Sequence, residues 1–206
     1  ASVVGGNDRL VGGGGDDTLI GDVEIAEIGT TVLGGNDILF GGQGHDLLIG
    51  GSGDDQIDGE GGIDTVSFEA STVAVEVILQ GAGLGSATGE GMDALRNIEN
   101  VITTTANDTL TGDAEDNTFF ERGGDDRYSG GNGTDTVDYS TVSANLTIDL
   151  GVPSAQATGS GTDTFTSIEA IVGGSGDDSI LGNTLSNVLM GGLGDDTLDG
   201  VAGLNN

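Results

Sequence analysis

Residues 41 to 58 read GGQGHDLLI followed by GGSGDDQID, two nonapeptides with glycine at places one, two and four, aspartate at six and an aliphatic residue at eight. The frame G-G-x-G-x-D-x-(aliphatic)-x is complete six times, starting at Gly12, Gly41, Gly50, Gly130, Gly173 and Gly191. Degenerate copies in the same register occupy 3–11, 32–40, 59–67, 103–111, 112–120, 121–129 and 182–190, and a truncated copy starts at Gly200. A fixed short period of this kind calls for near-identical units stacked in a row. Each unit offers one good core side chain, such as Leu48 or Ile57, whose burial is worth about 1.5–3 kcal/mol. Ordering each residue of the unit costs about 1–2 kcal/mol of backbone entropy, and more for glycine. The repeat therefore has to gather a stabilising agent from outside the chain.

Charge indicates what that agent is. The 206 residues hold 35 acids against four arginines and no lysine, a formal charge of -31, with 42 glycines and only 3% aromatic residues. Such a balance ordinarily means disorder. Strict register argues instead for an order that depends on a bound counter-charge. There is no cysteine, and the single histidine, His45, excludes a multi-histidine site. No stretch approaches the roughly 18–20 apolar residues of a membrane helix, and no basic-then-apolar leader opens the chain. A polyanion repels phosphates, so neither nucleic acid nor direct membrane insertion is expected. The pattern is already running at both ends, which suggests a piece of a longer protein.

The copies fall into blocks at 1–67, interrupted by a short insertion at 21–31, then 103–138 and 173–206. Spacers at 68–102 and 139–172 separate them and resemble each other. DTVSFEAST at 64–72 matches DTVDYSTVS at 135–143, and NIENVI at 97–102 matches SIEAIV at 167–172. Val75, Val77 and Leu79 alternate in the first spacer, as do Leu146, Ile148 and Leu150 in the second. That is strand periodicity with one buried face, so both spacers are expected to extend the same sheet. Asp93 is a candidate N-cap for one helical turn within MDALRNIENVI.

Within a nonapeptide, the residues around place eight suit a short strand and the glycine-rich six before it a turn. If two nonapeptides make one coil, turns on the same side stack at about 4.8 Å. Asp37 then lies over Asp55, and Asp46 over Asp64, each pair 18 residues apart. Two carboxylates at that distance repel by roughly 0.9 kcal/mol even at the dielectric of water. A cation between them reverses the sign. Oxygen donors without imidazole or thiolate suit a hard ion, and calcium, with six to eight oxygens in flexible geometry, fits better than magnesium.

These nonapeptides resemble the RTX, or haemolysin-type, calcium-binding repeats. The resemblance implies an all-β fold, a parallel β-roll or β-solenoid with several calcium ions between stacked glycine-rich turns. It implies in addition secretion from a bacterium by a type I export machinery that reads an uncleaved C-terminal signal. Carried over by position, the metal ligands are Asp17, Asp37, Asp46, Asp55, Asp64, Asp108, Asp126, Asp135, Asp178 and Asp196. Asp8 is weaker, because its copy lacks the first glycines. Asn117 and Asn187 stand where the family has aspartate. The place-five acids Asp16, Asp54, Asp125, Asp177 and Asp195 are expected in solvent, as is His45.

No H-E-x-x-H, G-x-S-x-G or cysteine nucleophile is present, so any catalysis is expected in a parent domain outside these residues. GAGLGSATG at 81–89 has neither the glycine spacing nor the lysine of a phosphate loop. Arg9, Arg96, Arg122 and Arg127 read as local charge balance. The expected function is a calcium-binding module that folds on binding the ion and supports export and stability of a larger extracellular protein. The alternatives are an adhesin segment that binds extracellular polysaccharide and a non-catalytic C-terminal module of an extracellular enzyme.

Overall fold

A computed structural model describes residues 2–4, 6–22 and 31–201. Among these every regular element is a strand, most of them three residues long. Each nonapeptide folds as its pattern dictates, with the glycine-rich half turning and places seven to nine forming a strand. Successive strands alternate between two facing sheets. One is an eight-stranded parallel sheet running in order from Thr18–Ile20 through Leu47–Ile49, Thr65–Ser67, Asn100–Ile102, Thr118–Phe120, Thr136–Asp138 and Ala170–Val172 to Val188–Met190. Opposite it lie Arg9–Gly14, Ile38–Gly44 and Gln56–Gly62, then the first spacer, Thr109–Thr111, Arg127–Ser129 and the second spacer. Ser179–Leu181 and Thr197–Asp199 complete that side as part of a separate three-stranded sheet.

Register follows the pleat. Place eight pairs with place eight, as in Leu39 with Ile57 and Leu48 with Val66. Its side chain points inward from both sheets while places seven and nine face out. The core is this double row: Leu48, Val66, Val101, Phe119, Val137 and Ile171 against Leu39, Ile57, Val77, Leu110, Tyr128 and Ile180, all buried.

The spacers depart from a plain stack. In the first, Glu76–Ile78 pairs in parallel with Thr109–Thr111, which comes later in the chain. The chain then reverses through Gly85–Thr88, antiparallel to both its neighbours, and returns as Met92–Arg96 beside Gln56–Gly62. The second repeats the manoeuvre with Thr147–Asp149, Gln156–Ala157 and Thr162–Thr166, its first strand joined to the hairpin by the Thr147 N–H on Thr158 O at 2.8 Å. Val75, Val77 and Leu79 are buried, as are Leu146 and Ile148.

The helical turn expected after Asp93 does not form. Leu95 and Ile98 are both buried, and Asn97 turns the chain at φ 49°, as Ser167 does in the second spacer. A strand followed by a corner buries both apolar residues, and Asp93 is engaged by the neighbouring coil. The insertion expected at 21–31 lies mostly outside the described residues. Gly21 and Asp22 still donate to Ile49 O and Gly50 O at 2.8 and 3.1 Å, and Thr31–Leu33 pairs with Ser2–Val4. Beyond Val201 the truncated copy is likewise outside the described residues.

Candidate metal centre

The turn of residues 41–46 shows what the glycines do. Gly42 and Gly44 sit at φ 119° and 140°, conformations that side chains resist. Gly41 is glycine for a different reason, since a Cβ there would fall 2.4 Å from Asp46 Oδ2. Place one is where the place-six carboxylate lies.

That carboxylate has two separate tasks. One oxygen accepts the backbone N–H of the place-six residue one coil earlier. Asp37 N–H donates to Asp55 Oδ1 and Asp46 N–H to Asp64 Oδ1, each at 2.8 Å across 18 residues. Asp8 and Asp17 donate to Asp37 and Asp46 at 2.7 and 2.8 Å in the same way, across 29 residues. The ladder continues with Asp108 on Asp126, Asn117 on Asp135 and Asp178 on Asp196, at 2.7 to 2.9 Å.

The second oxygen decides the chemistry. Asp17, Asp37, Asp46, Asp55, Asp64 and Asp135 each keep Oδ2 buried with no hydrogen-bond partner. Burial pushes the Asp55 and Asp135 carboxyls up to about 6, with neighbouring acids adding to the rise and the backbone N–H opposing it. Asp37 and Asp64 are raised for the same first reason. A buried unpaired carboxylate oxygen is costly, and these six are the donors a hard cation requires. Among the described residues no three acidic or histidine side chains converge on one point. An ion in these turns would therefore draw its remaining oxygens from main-chain carbonyls or water. Glycine-rich turns with positive φ expose main-chain carbonyls.

Compared with known protein families, the chain matches the RTX calcium-binding nonapeptide repeat in four copies, at residues 4–23, 33–66, 102–137 and 172–205, more than half its length. It is an RTX repeat protein. No curated protein matches it. Repeats of this family bind calcium, and the parallel strands, glycine turns and unpaired carboxylate oxygens described above fit a hard divalent ion.

The RTX turns are not all alike. In four of the copies the place-six side chain is satisfied within its own turn, by the N–H at place two. Thr104 N–H donates to Asp108 Oδ2 at 2.8 Å, joined by the Thr104 hydroxyl at 3.1 Å. Gly174 N–H donates to Asp178 Oδ2 at 2.9 Å, although that copy matches the repeat completely. Asn117 and Asn187 accept from Asp113 and Asn183 at 2.8 Å and donate their amide N–H to Glu99 O and Glu169 O at 3.2 and 3.4 Å. Asp126 Oδ2 instead lies 3.0 Å from the Tyr128 hydroxyl, whose single proton it shares with Glu121. Asp196 is half-buried in the last described turn.

Five acids in these coils, three of them buried and two half-buried, escaped the nonapeptide frame. Asp93 and Asp163 take place six in the returning spacer strands and accept the N–H of Asp55 and Asp126, both at 3.0 Å. Glu99 and Glu169 do so at the facing corners, for Asp64 and Asp135 at 2.8 and 3.1 Å. Their signal was an acid two residues before a core side chain: DAL, DTF, ENV and EAI. Asp22 is buried and accepts the Gly35 N–H at 2.5 Å. The place-five groups form an outer ladder of their own rather than simply standing in water. Asp54 accepts the Met92 N–H and Asp125 the Thr162 N–H, at 2.9 and 2.8 Å.

Proposed function

We propose that Asp17, Asp37, Asp46, Asp55, Asp64 and Asp135 hold calcium between stacked turns, together with main-chain carbonyls. On this reading ion binding folds the module, and so supports export and stability of a larger secreted bacterial protein. Asp108, Asp126, Asp178 and Asp196 share the ladder, but the first three already satisfy both oxygens and so rank behind the six. Bound calcium supplies positive charge where stacked carboxylates otherwise repel. The chain's own part is to fix one carboxylate oxygen on a backbone N–H, so that the other is aimed without further ordering cost. Little calcium would leave the acidic chain unfolded and exportable, and the millimolar calcium outside a cell would fold it.

The observation that carries this reading is the set of six buried, unpartnered Oδ2 atoms. Calcium titration of the chelated chain, followed by circular dichroism, tests it. Strand signal is expected to rise with bound calcium. A strand spectrum unchanged in excess chelator, with metal loss verified, would overturn it.

A further inference from the structure

The unpaired oxygens are unevenly distributed. Five of the six lie between Asp17 and Asp64, and only Asp135 lies beyond. From Thr103 to Ile171 the turns other than that of Asp135 are closed by protein groups instead. Glu121 occupies place one of its copy, where a carboxylate oxygen otherwise sits against glycine. Its buried side chain accepts the Tyr128 hydroxyl, the Gly123 N–H at 2.7 Å and the Ser160 hydroxyl at 2.9 Å. Asp163, the next acid of that ladder, accepts the Thr158 and Tyr139 hydroxyls at 2.6 and 3.0 Å. Asp108 is closed by Thr104. The core changes in the same region. The fully or nearly buried aromatic side chains Phe119, Tyr128, Tyr139 and Phe165 all belong to it, with Tyr128 5.7 Å from Phe119 and 5.9 Å from Phe165 between ring centroids. The coils before residue 67 have only Leu, Ile and Val at these places.

We infer that residues 103–172 form a segment whose order does not require calcium, in which Glu121, Tyr128, Tyr139 and Thr104 take the part that the ion plays in the coils of residues 12–67. The inference rests on the calcium-coupled reading above and divides the chain into a self-sufficient centre and an ion-dependent flank. Three aromatic rings in contact bury far more apolar area per coil than aliphatic residues do. Every closed turn also avoids the desolvation cost of an unpaired carboxylate.

Hydrogen exchange of the full chain, read by mass spectrometry, tests this in excess chelator at neutral pH. Amides in Thr109–Thr111, Thr118–Phe120, Arg127–Ser129 and Thr162–Thr166 are expected to exchange at least about 100-fold more slowly than those in Ile38–Gly44, Leu47–Ile49 and Gln56–Gly62. Calcium should then protect both sets. Uniform loss of protection in chelator, restored everywhere by calcium, would overturn the self-sufficient centre and leave calcium-coupled folding intact. Uniform protection in chelator would overturn both. Combining Glu121→Gly with Tyr128→Phe restores glycine at place one and removes the hydroxyl on Asp126. In this variant protection of the centre should become calcium-dependent. Protection unchanged in chelator, or not regained in calcium, would show that these two side chains do not stand in for the ion.

Discussion

Asp54 and Asp55 are adjacent acids, and replacing each by asparagine removes the same formal charge from different surroundings. Asp55 Oδ1 accepts the Asp37 N–H at 2.8 Å, while its Oδ2 is buried and unpaired. In Asp55→Asn the first bond survives as a neutral one, about 1 kcal/mol weaker. The second oxygen becomes an N–H donor aimed where a cation belongs. Loss of a residue that merely supports a metal ligand costs about 10- to 100-fold in affinity, so loss of the ligand itself should cost about 100-fold or more, near 3 kcal/mol. One term opposes it. A carboxyl pushed up to about 6 from 3.8 costs the metal-free roll at most about 3 kcal/mol at pH 7, and solvent screening at the turn reduces this to about 1 kcal/mol, which the asparagine recovers. The net expectation is a calcium midpoint about 10- to 100-fold higher. Asp54 is exposed and accepts the Met92 N–H at 2.9 Å through Oδ1, which asparagine retains. Its charge is screened over about 8 Å, so Asp54→Asn should move the midpoint by less than about twofold. Calcium titrations of the two variants by circular dichroism compare them at equal net charge. Equal shifts would mean that the acidity acts as a diffuse field, and the ligand assignment would have to be abandoned.

Three further outcomes follow from the same geometry. In chelator, strand content should rise on acidification. Burial holds Asp37, Asp55, Asp64, Asp93 and Asp135 above their unfolded values, Asp55 and Asp135 at about 6 and Asp93 at about 7. Their stabilising share is thus complete below about pH 4 and is lost as pH climbs through about 6 to 7; a circular dichroism series in which acid steadily reduces strand content would contradict this. Gly12→Ala places a Cβ 2.3 Å from Gly41 O and 2.6 Å from Asp17 Oδ2, whereas nothing lies within 4 Å of a Cβ on Gly14. Thermal melts in calcium should show a loss of about 2–3 kcal/mol for the first and almost none for Gly14→Ala; equal melting points would count against the packed place-one glycine. Tyr139→Phe removes the donor to Asp163 Oδ2, leaving Thr158 as that oxygen's remaining partner, and should cost about 1–2 kcal/mol in urea unfolding; a neutral result would show that the hydroxyl is not needed.

The nonapeptide frame made the solenoid legible, because a strand must follow wherever glycine turns give way to a place-eight aliphatic. Leu48, Ile57, Val137 and Ile180 are buried as that rule requires. The same frame concealed the reversal in the spacers. Alternation at Val75, Val77 and Leu79 marks a strand with one inward face, but it carries no information on which rung that strand joins or in which direction. Nor could the frame rank the aspartates. Asp178 sits in a complete copy, yet the Gly174 N–H satisfies its second oxygen, because that turn follows a different backbone path from the turns of residues 12–67. Glu99 went unrecognised because its copy, residues 94–102, lacks glycine altogether, and Asp93 because its copy, residues 88–96, keeps only the glycines of places two and four; the pairing of whole strands brings both into the ladder.

The reversed strand order in the spacers changes how such a molecule comes apart. In a simple repeat array each coil depends only on its two neighbours, so coils are lost or added singly, in the manner of a zipper. Here Glu76–Ile78 waits for Thr109–Thr111, while the strand that ends the same excursion, Met92–Arg96, rests on Gln56–Gly62. A chain leaving its ribosome in sequence order must hold residues 76–88 without their outer partner until the next block arrives. Fraying from either end likewise meets three strands that release together. Each spacer is therefore a clasp, binding the block before it to the block after it, so that once calcium has ordered the coils on both sides, neighbouring blocks melt as one cooperative unit.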